Sequence, residues 1–372
     1  MKIAFDAKRA AQNRTGLGNY SRFVIEGLSR YCPENKYLLY TPNERKAKLL
    51  GNLSQQENCV VCYPDKAIWK SLSSLWRVSG IKRQLQNDHP AIFHGLSNEL
   101  PLGIERLKEI KSIVTIHDLI FLKKSGKPRN MVQYIGKLYR KWTIRFGSRR
   151  IDRCVSVSRY SADEIKRVLN IPEVTVTYNC ADAFRGKLKA GASESMIGEK
   201  QYFFTLSGDA PSKNLSFVID LFKNDLLTET LVIAGIPANS PIRSEACDRI
   251  VFLPARISDE ELIVHYSQCK AFLFLSLYEG FGIPVLEALM CGARVIASNR
   301  TSIPEVVGDC GVLVDPTDRG QCLEAICNIA SFSPDPQAIE RQVGPFSDWD
   351  RPAKVLLNLF QNTYCEKHLG HV

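Results

Sequence analysis

Residues 276–298 read SLYEGFGIPVLEALMCGARVIAS and follow directly on the apolar run AFLFLS. The apolar run predicts a buried strand, and Glu279 comes after it in a glycine-bearing loop. A helix is predicted to begin near Ile283, because Pro284 suits a first helical turn, where its missing amide hydrogen would have been unpaired in any case. A strand, a tight loop and a helix in this order form the repeating unit of an α/β fold.

The start of this helix has the properties of a diphosphate-binding site. Free backbone amides and the positive end of the helix dipole attract anions there, and Gly280 and Gly282 allow a ligand to approach closely. Glu279 and Glu287 flank the site, where carboxylates can accept hydrogen bonds from the hydroxyls of a sugar and a ribose. For Glu287 alone, stabilisation of the helix dipole is an equally good explanation.

Short apolar runs alternate with helical stretches along the whole chain, which is typical of parallel sheets with crossover helices. Such strands are buried on both faces and therefore show no alternation of polar and apolar residues. The predicted strands are 2–7, 37–42, 91–97, 112–118, 153–158, 202–207, 230–235, 249–254, 271–276, 293–298 and 311–316. Capping boxes are predicted for Ser161 with Glu164 and for Ser258 with Glu261.

The 372 residues suit two domains. Residues 183–201 are rich in Gly, Ser, Ala and Lys without a clear period, so they are predicted to be a linker. We expect an N-terminal domain over residues 1–185 and a C-terminal domain over residues 186–349. The last residues, 350–372, are predicted to pack back on the first domain.

The two halves of the chain carry opposite charge. Residues 1–190 contain 35 lysines and arginines against 16 aspartates and glutamates, and the remainder contains 14 against 23. A basic half attracts phosphates, anionic lipid or nucleic acid, and composition does not choose among them. No signal-peptide pattern or membrane-length apolar run is seen, which predicts a cytoplasmic protein, either free or peripheral on the cytoplasmic face of a membrane.

Twelve cysteines are spread over the chain. Cys59 and Cys62 form a single CxxC motif whose apolar interior favours a strand over a zinc or redox site. We therefore expect no metal site and no cofactor.

From Glu279 to Glu287 the sequence resembles the E-x7-E signature of retaining GT-B glycosyltransferases of the family 4 type, also called group 1. The following residues, 291–316, resemble the next strand and proline–glutamate turn of that family. The resemblance runs, with gaps, over most of the chain and extends to bacterial mannosyl- and rhamnosyltransferase-like members. It implies two facing Rossmann-like domains with a cleft between them and a C-terminal helix that returns to the first domain.

The resemblance also implies roles for individual residues. The first domain would bind the acceptor and the second the nucleotide-sugar donor. Glu279 would contact hydroxyls of the donor sugar, and Glu287 would contact the ribose. Backbone amides around Phe281, Gly282 and Ile283 would hold the sugar and the distal phosphate.

Lys213 follows a predicted strand in TLSGDAPSKNLSFVI, close to Gly208. By itself, a lysine near a helix start is most often a solvated surface residue. In the family this lysine neutralises the leaving diphosphate. The family also has an arginine nearby, which is missing here, and Arg256 is a candidate to replace it.

The segment NRTGLGNY (13–20) is predicted to form a glycine turn between the first strand and the first helix. A lone Gly-x-Gly is weak evidence for a phosphate loop, and the third glycine of a dinucleotide fingerprint is absent. In the family a glycine loop here closes over the donor phosphates, which Gly16 and Gly18 match.

His117 ends a predicted strand in VTIHDL. A histidine in this position is most often a packing or capping residue. The resemblance implies a hydrogen bond from His117 to the transferred sugar, so Glu279, Lys213 and His117 are the predicted catalytic residues. His94 is a weaker candidate for a place in the cleft.

Residues 123–150 show apolar positions at helical spacing and a second, basic face. A crossover helix with a solvated basic side explains this pattern, and docking on an anionic membrane is the alternative. Aromatic residues among the cations could also suggest RNA, but no nucleic-acid motif accompanies them, and no nucleic-acid partner is expected.

The predicted function is transfer of a hexose, with retention, from a nucleotide-diphosphate sugar to a glycan or lipid-linked acceptor in cell-surface polysaccharide synthesis. GDP-mannose is the donor that the resemblance suggests. Two alternatives remain open at this stage: a GT-B sugar-nucleotide 2-epimerase, and a non-catalytic module that binds membrane or nucleic acid.

Overall fold

The computed structural model describes residues 1–14, 16–66, 68–69, 72, 75–123, 151–190 and 202–369. They form two compact units, the first made of residues 1–179 and 349–372 and the second of residues 180–348. The boundary thus falls six residues before the predicted one. The reason is a helix at Asp182–Ala190 in the second unit, where the sequence suggested linker from residue 183. The rest of the predicted linker, 191–201, lies outside the described residues.

The first unit contains one parallel sheet in the order β3-β2-β1-β4-β5-β6-β7. Its strands are β1 (Lys2–Asp6), β2 (Lys36–Tyr40), β3 (Cys59–Cys62), β4 (Ile92–Gly95), β5 (Lys111–Ile116), β6 (Arg153–Ser156) and β7 (Val174–Val176). Its helices are α1 (Lys8–Gln12), α2 (Gly16–Tyr31), α3 (Gly51–Ser54), α4 (Ile81–Asp88), α5 (Arg159–Leu169) and the C-terminal helix α13 (Asp350–Leu369). The central strands are almost completely buried, as their continuous apolar runs predict.

The second unit contains a parallel sheet in the order β10-β9-β8-β11-β12-β13. Its strands are β8 (Tyr202–Leu206), β9 (Thr230–Ala234), β10 (Ile250–Phe252), β11 (Ala271–Phe274), β12 (Val295–Ser298) and β13 (Val312–Val314). Its helices are α6 (Asp182–Ala190), α7 (Leu215–Phe222), α8 (Asp259–Gln268), α9 (Ile283–Met290), α10 (Ile303–Val307), α11 (Arg319–Asn328) and α12 (Pro336–Val343). All the predicted strands of this half are present.

The chain returns to the first unit at its C-terminal end. Trp349 packs its ring on Tyr20 and Phe23 of α2, at centroid distances of 5.7 and 5.6 Å. Further along, Phe360 of α13 is fully buried against His94. The predicted return of the last helix to the first domain is therefore confirmed.

Helix starts agree in part with the predicted capping boxes. Ser258 and Glu261 form the full reciprocal box at the start of α8. The box predicted for Ser161 and Glu164 is wrong, because α5 starts earlier and Ser158 caps it by accepting a hydrogen bond from the amide of Ser161. Glu164 instead pairs with Lys123, with 3.0 Å between Nζ and Oε1.

The predicted basic membrane face falls almost entirely on residues 124–150, which lie outside the described residues. Its first member, Lys123, is described, and its charge is offset by the buried Glu164.

Candidate active site

An ion pair lies at the carboxyl edge of the second sheet. Lys213 follows β8 and Glu279 follows β11, and the Lys213 Nζ stands 2.7 Å from Glu279 Oε1. The Lys213 side chain is 32% exposed and that of Glu279 is 14% exposed. β8 and β11 are neighbours where the strand order reverses, the place where open α/β sheets bind ligands. The structure thus brings together two predicted site residues that are 66 positions apart in the sequence.

The loops after these two strands are tied together. Lys213 ends a short 3₁₀ turn, and Asn214 then adopts a left-handed conformation with φ of 57°. The Asn214 side-chain amide donates hydrogen bonds to the carbonyls of Leu275 and Pro316, at 3.1 and 2.8 Å. The sequence analysis did not single out Asn214, although asparagine tolerates this backbone conformation better than most residues.

The Glu279 loop is fixed from the segment after β12. The amide of Glu279 donates to Thr301 Oγ1 at 3.2 Å. The Ser302 hydroxyl donates to the carbonyls of Glu279 and Phe281, at 3.1 and 2.8 Å. These two residues satisfy backbone groups of the Glu279 loop and so help to fix its conformation.

Gly282 forms the N-terminal cap of α9 in a conformation that strongly favours glycine. Its φ is +118°, and a Cβ built on it would stand 2.7 Å from Ile303 Cδ1. Ile283 then begins α9, with Pro284 in its first turn. Phe281 is buried edge-to-face against Phe346, at 5.5 Å between centroids. The predicted loop-to-helix turn is therefore present beside the Lys213–Glu279 pair.

Glu287 lies in the second turn of α9 and accepts a hydrogen bond from the hydroxyl of Tyr266, at 3.2 Å. The pKa of Glu287 is raised to about 8. Burial is the main cause, the Tyr266 hydrogen bond opposes the shift, and the negative charge of Asp259 adds to it. Tyr266 is fully buried among the rings of Phe204, Phe272 and Phe184. A carboxyl held in this way can change its charge near neutral pH.

Two further predicted donor-site residues differ in their surroundings. Gly208 lies close to Lys213, since a Cβ built on Gly208 would stand 3.9 Å from Lys213 Cγ. Arg256 is exposed, after β10 at the outer edge of the sheet, and β9 separates its strand from β8. No ion pair joins it to another described residue. The structure therefore does not place Arg256 with the Lys213–Glu279 pair.

His117 belongs to the first unit, where it follows β5. It is 5% exposed, its backbone amide donates to Asn98 Oδ1 at 2.7 Å, and its Nε2 lies 2.9 Å from the Leu96 carbonyl. Because a carbonyl can only accept, Nε2 carries the proton and Nδ1 is left as an acceptor. Burial lowers the pKa of His117 to about 4, with the charge of Arg9 acting in the same direction. The imidazole is neutral at pH 7 and can accept a hydrogen bond from a hydroxyl.

The predicted glycine turn is wrong. Gly16 and Gly18 lie in the first turn of α2, and the short helix α1 precedes them. Gly18 serves a close backbone approach, because a Cβ there would stand 1.9 Å from the Asn13 carbonyl oxygen. The sequence offered glycines that suit a turn, but here they allow the end of the α1 segment to pack against α2.

His94 is also placed differently from the prediction. It is fully buried within β4, with its Nε2 2.9 Å from Thr115 Oγ1 and its ring against Phe5 and Phe360. It is a core residue.

No helix among the described residues has the length and apolar character that a membrane crossing requires. Over the same part of the chain, no group of three or more His, Cys, Asp or Glu side chains could hold a metal ion.

Comparison with known proteins identifies the class. A model described as Glycosyltransferase Family 4 matches residues 25–185, and one described as Glycosyl transferases group 1 matches residues 200–331. The O-antigen chain mannosyltransferase B of Escherichia coli is 26% identical over 86% of this chain and 87% of its own length.

Solved structures show the same fold. A sucrose-phosphate synthase from Thermosynechococcus elongatus superimposes with a TM-score of 0.70 at 16% identity, covering 98% of this chain and all of the other. HepE from Anabaena, solved with UDP-glucose, gives a TM-score of 0.58 at 15% identity, with both chains fully covered.

Two parallel Rossmann-like sheets with a returning C-terminal helix give the chain the GT-B fold. With both models matched in succession, the chain belongs to the group 1, family 4 glycosyltransferases. It is an enzyme, so the alternative of a non-catalytic binding module is wrong.

Proposed function

We propose that the chain transfers a mannosyl group from a nucleotide-diphosphate sugar to a glycan acceptor, with retention of anomeric configuration, in the synthesis of a cell-surface polysaccharide. The observation that carries the proposal is the Lys213–Glu279 pair at the strand-order reversal, next to the helix start at Gly282. Mannose is proposed because relatives that match most of this chain or long parts of it are named mannosyltransferases.

Each group in this site has a role in the proposed reaction. As the bond between sugar and diphosphate breaks, negative charge grows on the departing phosphate, and the Lys213 ammonium and the positive end of the α9 dipole stabilise it. Glu279 accepts hydrogen bonds from hydroxyls of the sugar. Glu287 accepts from the ribose. The acceptor hydroxyl attacks from the side that the diphosphate leaves, and the departing phosphate takes its proton.

A transfer assay tests the proposal. The chain is incubated with GDP-mannose or UDP-linked sugars and a panel of glycan acceptors, and the anomeric configuration of the product is read by NMR. Transfer with an α-linked product from an α-linked donor supports it. Conversion of the donor to a 2-epimer without consumption of acceptor would favour the epimerase alternative, and an inverted product would refute retention.

Metal independence is the first expected result. In the proposed mechanism Lys213 and the helix-start amides neutralise the diphosphate, which is the task that a divalent ion performs in other sites. Activity should therefore persist in excess EDTA at its original level. Loss of activity that added manganese or magnesium restores would contradict the prediction, and a metal-dependent glycosyltransferase assayed in the same buffer is the control.

A peripheral position on the cytoplasmic face of an anionic membrane is a second part of the proposal. Residues 1–190 contain 35 lysines and arginines but only 16 aspartates and glutamates, and this part of the proposal rests on that excess. Each cation near such a surface adds about 1 kcal/mol of attraction, which salt screens over about 10 Å at 0.1 M.

Vesicle co-sedimentation tests the membrane proposal. The chain should bind anionic but not neutral vesicles at low salt, and binding should fade as salt rises. One variant replaces three cations of the basic segment 123–150, Lys137, Lys141 and Arg145, with Ala. The control variant replaces the exposed Arg45, Lys46 and Lys48 with Ala. The first variant should bind vesicles more weakly than the control. Equal binding of the two variants would refute a specific basic face.

A further inference from the structure

The first unit contains a second cluster of charged side chains that has no part in the donor site. Arg77 lies between two carboxylates, with its Nε 2.6 Å from Asp6 Oδ2 and its NH1 2.6 Å from Glu99 Oε2. Its NH2 is 3.5 Å from the Ser97 hydroxyl. The three charged side chains are 12%, 6% and 10% exposed in the order Arg77, Asp6 and Glu99. Burying charged groups this deeply costs free energy unless they pair with each other or bind a ligand.

The cluster stands where the strand order of the first sheet reverses. Asp6 is the last residue of β1, Ser97 and Glu99 follow β4, and β1 and β4 are neighbours in the sheet. The second sheet has the same arrangement at β8 and β11, where Lys213 and Glu279 meet. In open α/β sheets this edge position is where ligands bind. The same rule therefore predicts a ligand site in the first unit at the Arg77 cluster.

Lys8 supplies a cation beside the cluster. It follows β1 and is half-buried, and its backbone amide donates to Asp6 Oδ1 at 3.2 Å. Burial lowers the pKa of its ammonium, with the nearby charge of Arg77 as the next cause. Among the described residues, no ion pair within 4.0 Å compensates this ammonium. Its three donors remain available to a ligand.

We propose that Asp6, Glu99 and Lys8 form the acceptor site and bind the hydroxyl groups of a neutral glycan, while Arg77 acts as a positioning residue that holds the two carboxylates. This inference rests on the proposed function and extends it to the acceptor. The carboxylates keep lone pairs beyond those that Arg77 uses, and Lys8 adds donors, so the site can both accept from and donate to sugar hydroxyls. Two negative and two positive side chains balance, which favours an uncharged sugar over a phosphate.

The test uses the whole chain and two probes. Octyl glycosides of unphosphorylated mono-, di- and trisaccharides are the glycan probes, and inorganic pyrophosphate is the anionic probe. Binding of both is measured by NMR without donor, and acceptor KM and donor KM are measured in the transfer assay. Glu99→Gln and Lys8→Met should each weaken glycan binding and raise acceptor KM about tenfold or more, the loss expected for a hydrogen bond to a charged group. Donor KM should stay within about twofold, because Lys213, Glu279 and Glu287 lie in the other unit.

Asp152→Asn is the matched control. Asp152 pairs with Lys111 at 3.0 Å, also partly buried and in the first unit, but at the amino edge of the sheet, where β5 and β6 begin. It should leave acceptor KM unchanged. The proposal is overturned if Glu99→Gln and Lys8→Met fold and keep the acceptor KM of the parent, if no glycan binds the parent chain, or if pyrophosphate alone binds in a Lys8-dependent way. Failure of the proposed function is a separate result: glycans bind through Glu99, but no sugar is transferred from any nucleotide donor.

Discussion

Lys213→Ala should lower kcat by about 100- to 1000-fold, the loss seen when one preorganised donor to a developing oxyanion is removed. The ammonium stands 2.7 Å from Glu279 at the carboxyl edge of the second sheet, where open α/β sheets bind ligands. Its removal takes a positive charge away from the departing diphosphate. It also leaves Glu279, only 14% exposed, without its partner, which further opposes a bound anion. Steady-state kinetics with saturating donor measure the effect.

Lys223→Ala is the control for this prediction. Lys223 also forms a lysine–glutamate ion pair in the second unit, with Glu245, but both side chains are about half exposed. A surface pair of this kind contributes little to stability, so this variant should keep the parent's kcat and melting temperature. If Lys213→Ala retains kcat within about threefold, Lys213 does not stabilise the leaving group, and the site assignment fails.

The strands were predictable from the sequence because a strand buried on both faces needs a continuous apolar run. β8, β9 and β11 are runs of this kind, and each was predicted within a few residues of its bounds. β7 was missed because it has three half-buried residues at the edge of the sheet and leaves no such run. α6 was read as linker because its partners come from far along the chain. Lys187 pairs with Asp259 at 2.9 Å, and Phe184 packs on Tyr266.

The site could be predicted residue by residue but not as an arrangement. Lys213 and Glu279 were each found from a local motif after a strand, yet only the strand order brings them together. The Arg77 cluster was missed although the same rule applies to it. Asp6 ends β1 and Glu99 follows β4, but Arg77 comes from an irregular helical segment that no motif marks. A search of every strand end for paired charges would have found two of its three members.

The second large effect concerns the charge of Glu287. Ribose hydroxyls donate hydrogen bonds, so the donor is expected to bind the ionised carboxyl. With a pKa of about 8 in the folded chain, most Glu287 is neutral at pH 6. Below that pKa each pH unit lowers the ionised fraction about tenfold. Because about half of the carboxyl is ionised at pH 8 and about a hundredth at pH 6, donor affinity, measured by calorimetry, should rise up to about 50-fold between these two values. Glu287→Gln should bind weakly at both values and lose this dependence.

The same carboxyl makes the stability of the folded chain depend on pH. Its pKa is raised from the ordinary 4.5, so the folded chain holds a proton that the unfolded chain has released between about pH 4.5 and pH 8. The contribution of Glu287 to the free energy of unfolding is complete below about pH 4.5, and it is lost as the pH rises from there through about 8. The melting temperature of Glu287→Gln minus that of the parent should therefore be higher at pH 9 than at pH 6. Equal differences at the two pH values would show that Glu287 ionises normally.

Tyr266→Phe tests whether ionisation of Glu287 sets the pH dependence of donor binding. The tyrosine hydroxyl donates to Glu287 and stabilises its ionised form, so its removal should move the midpoint of donor binding to higher pH. Tyr202→Phe is matched to it, since the Tyr202 hydroxyl also contacts α8, lying 3.2 Å from His265 Nδ1. That variant should keep the parent's pH profile. A profile that stays unchanged in Tyr266→Phe, or that moves equally in Tyr202→Phe, would contradict the assignment of the pH dependence of binding to Glu287.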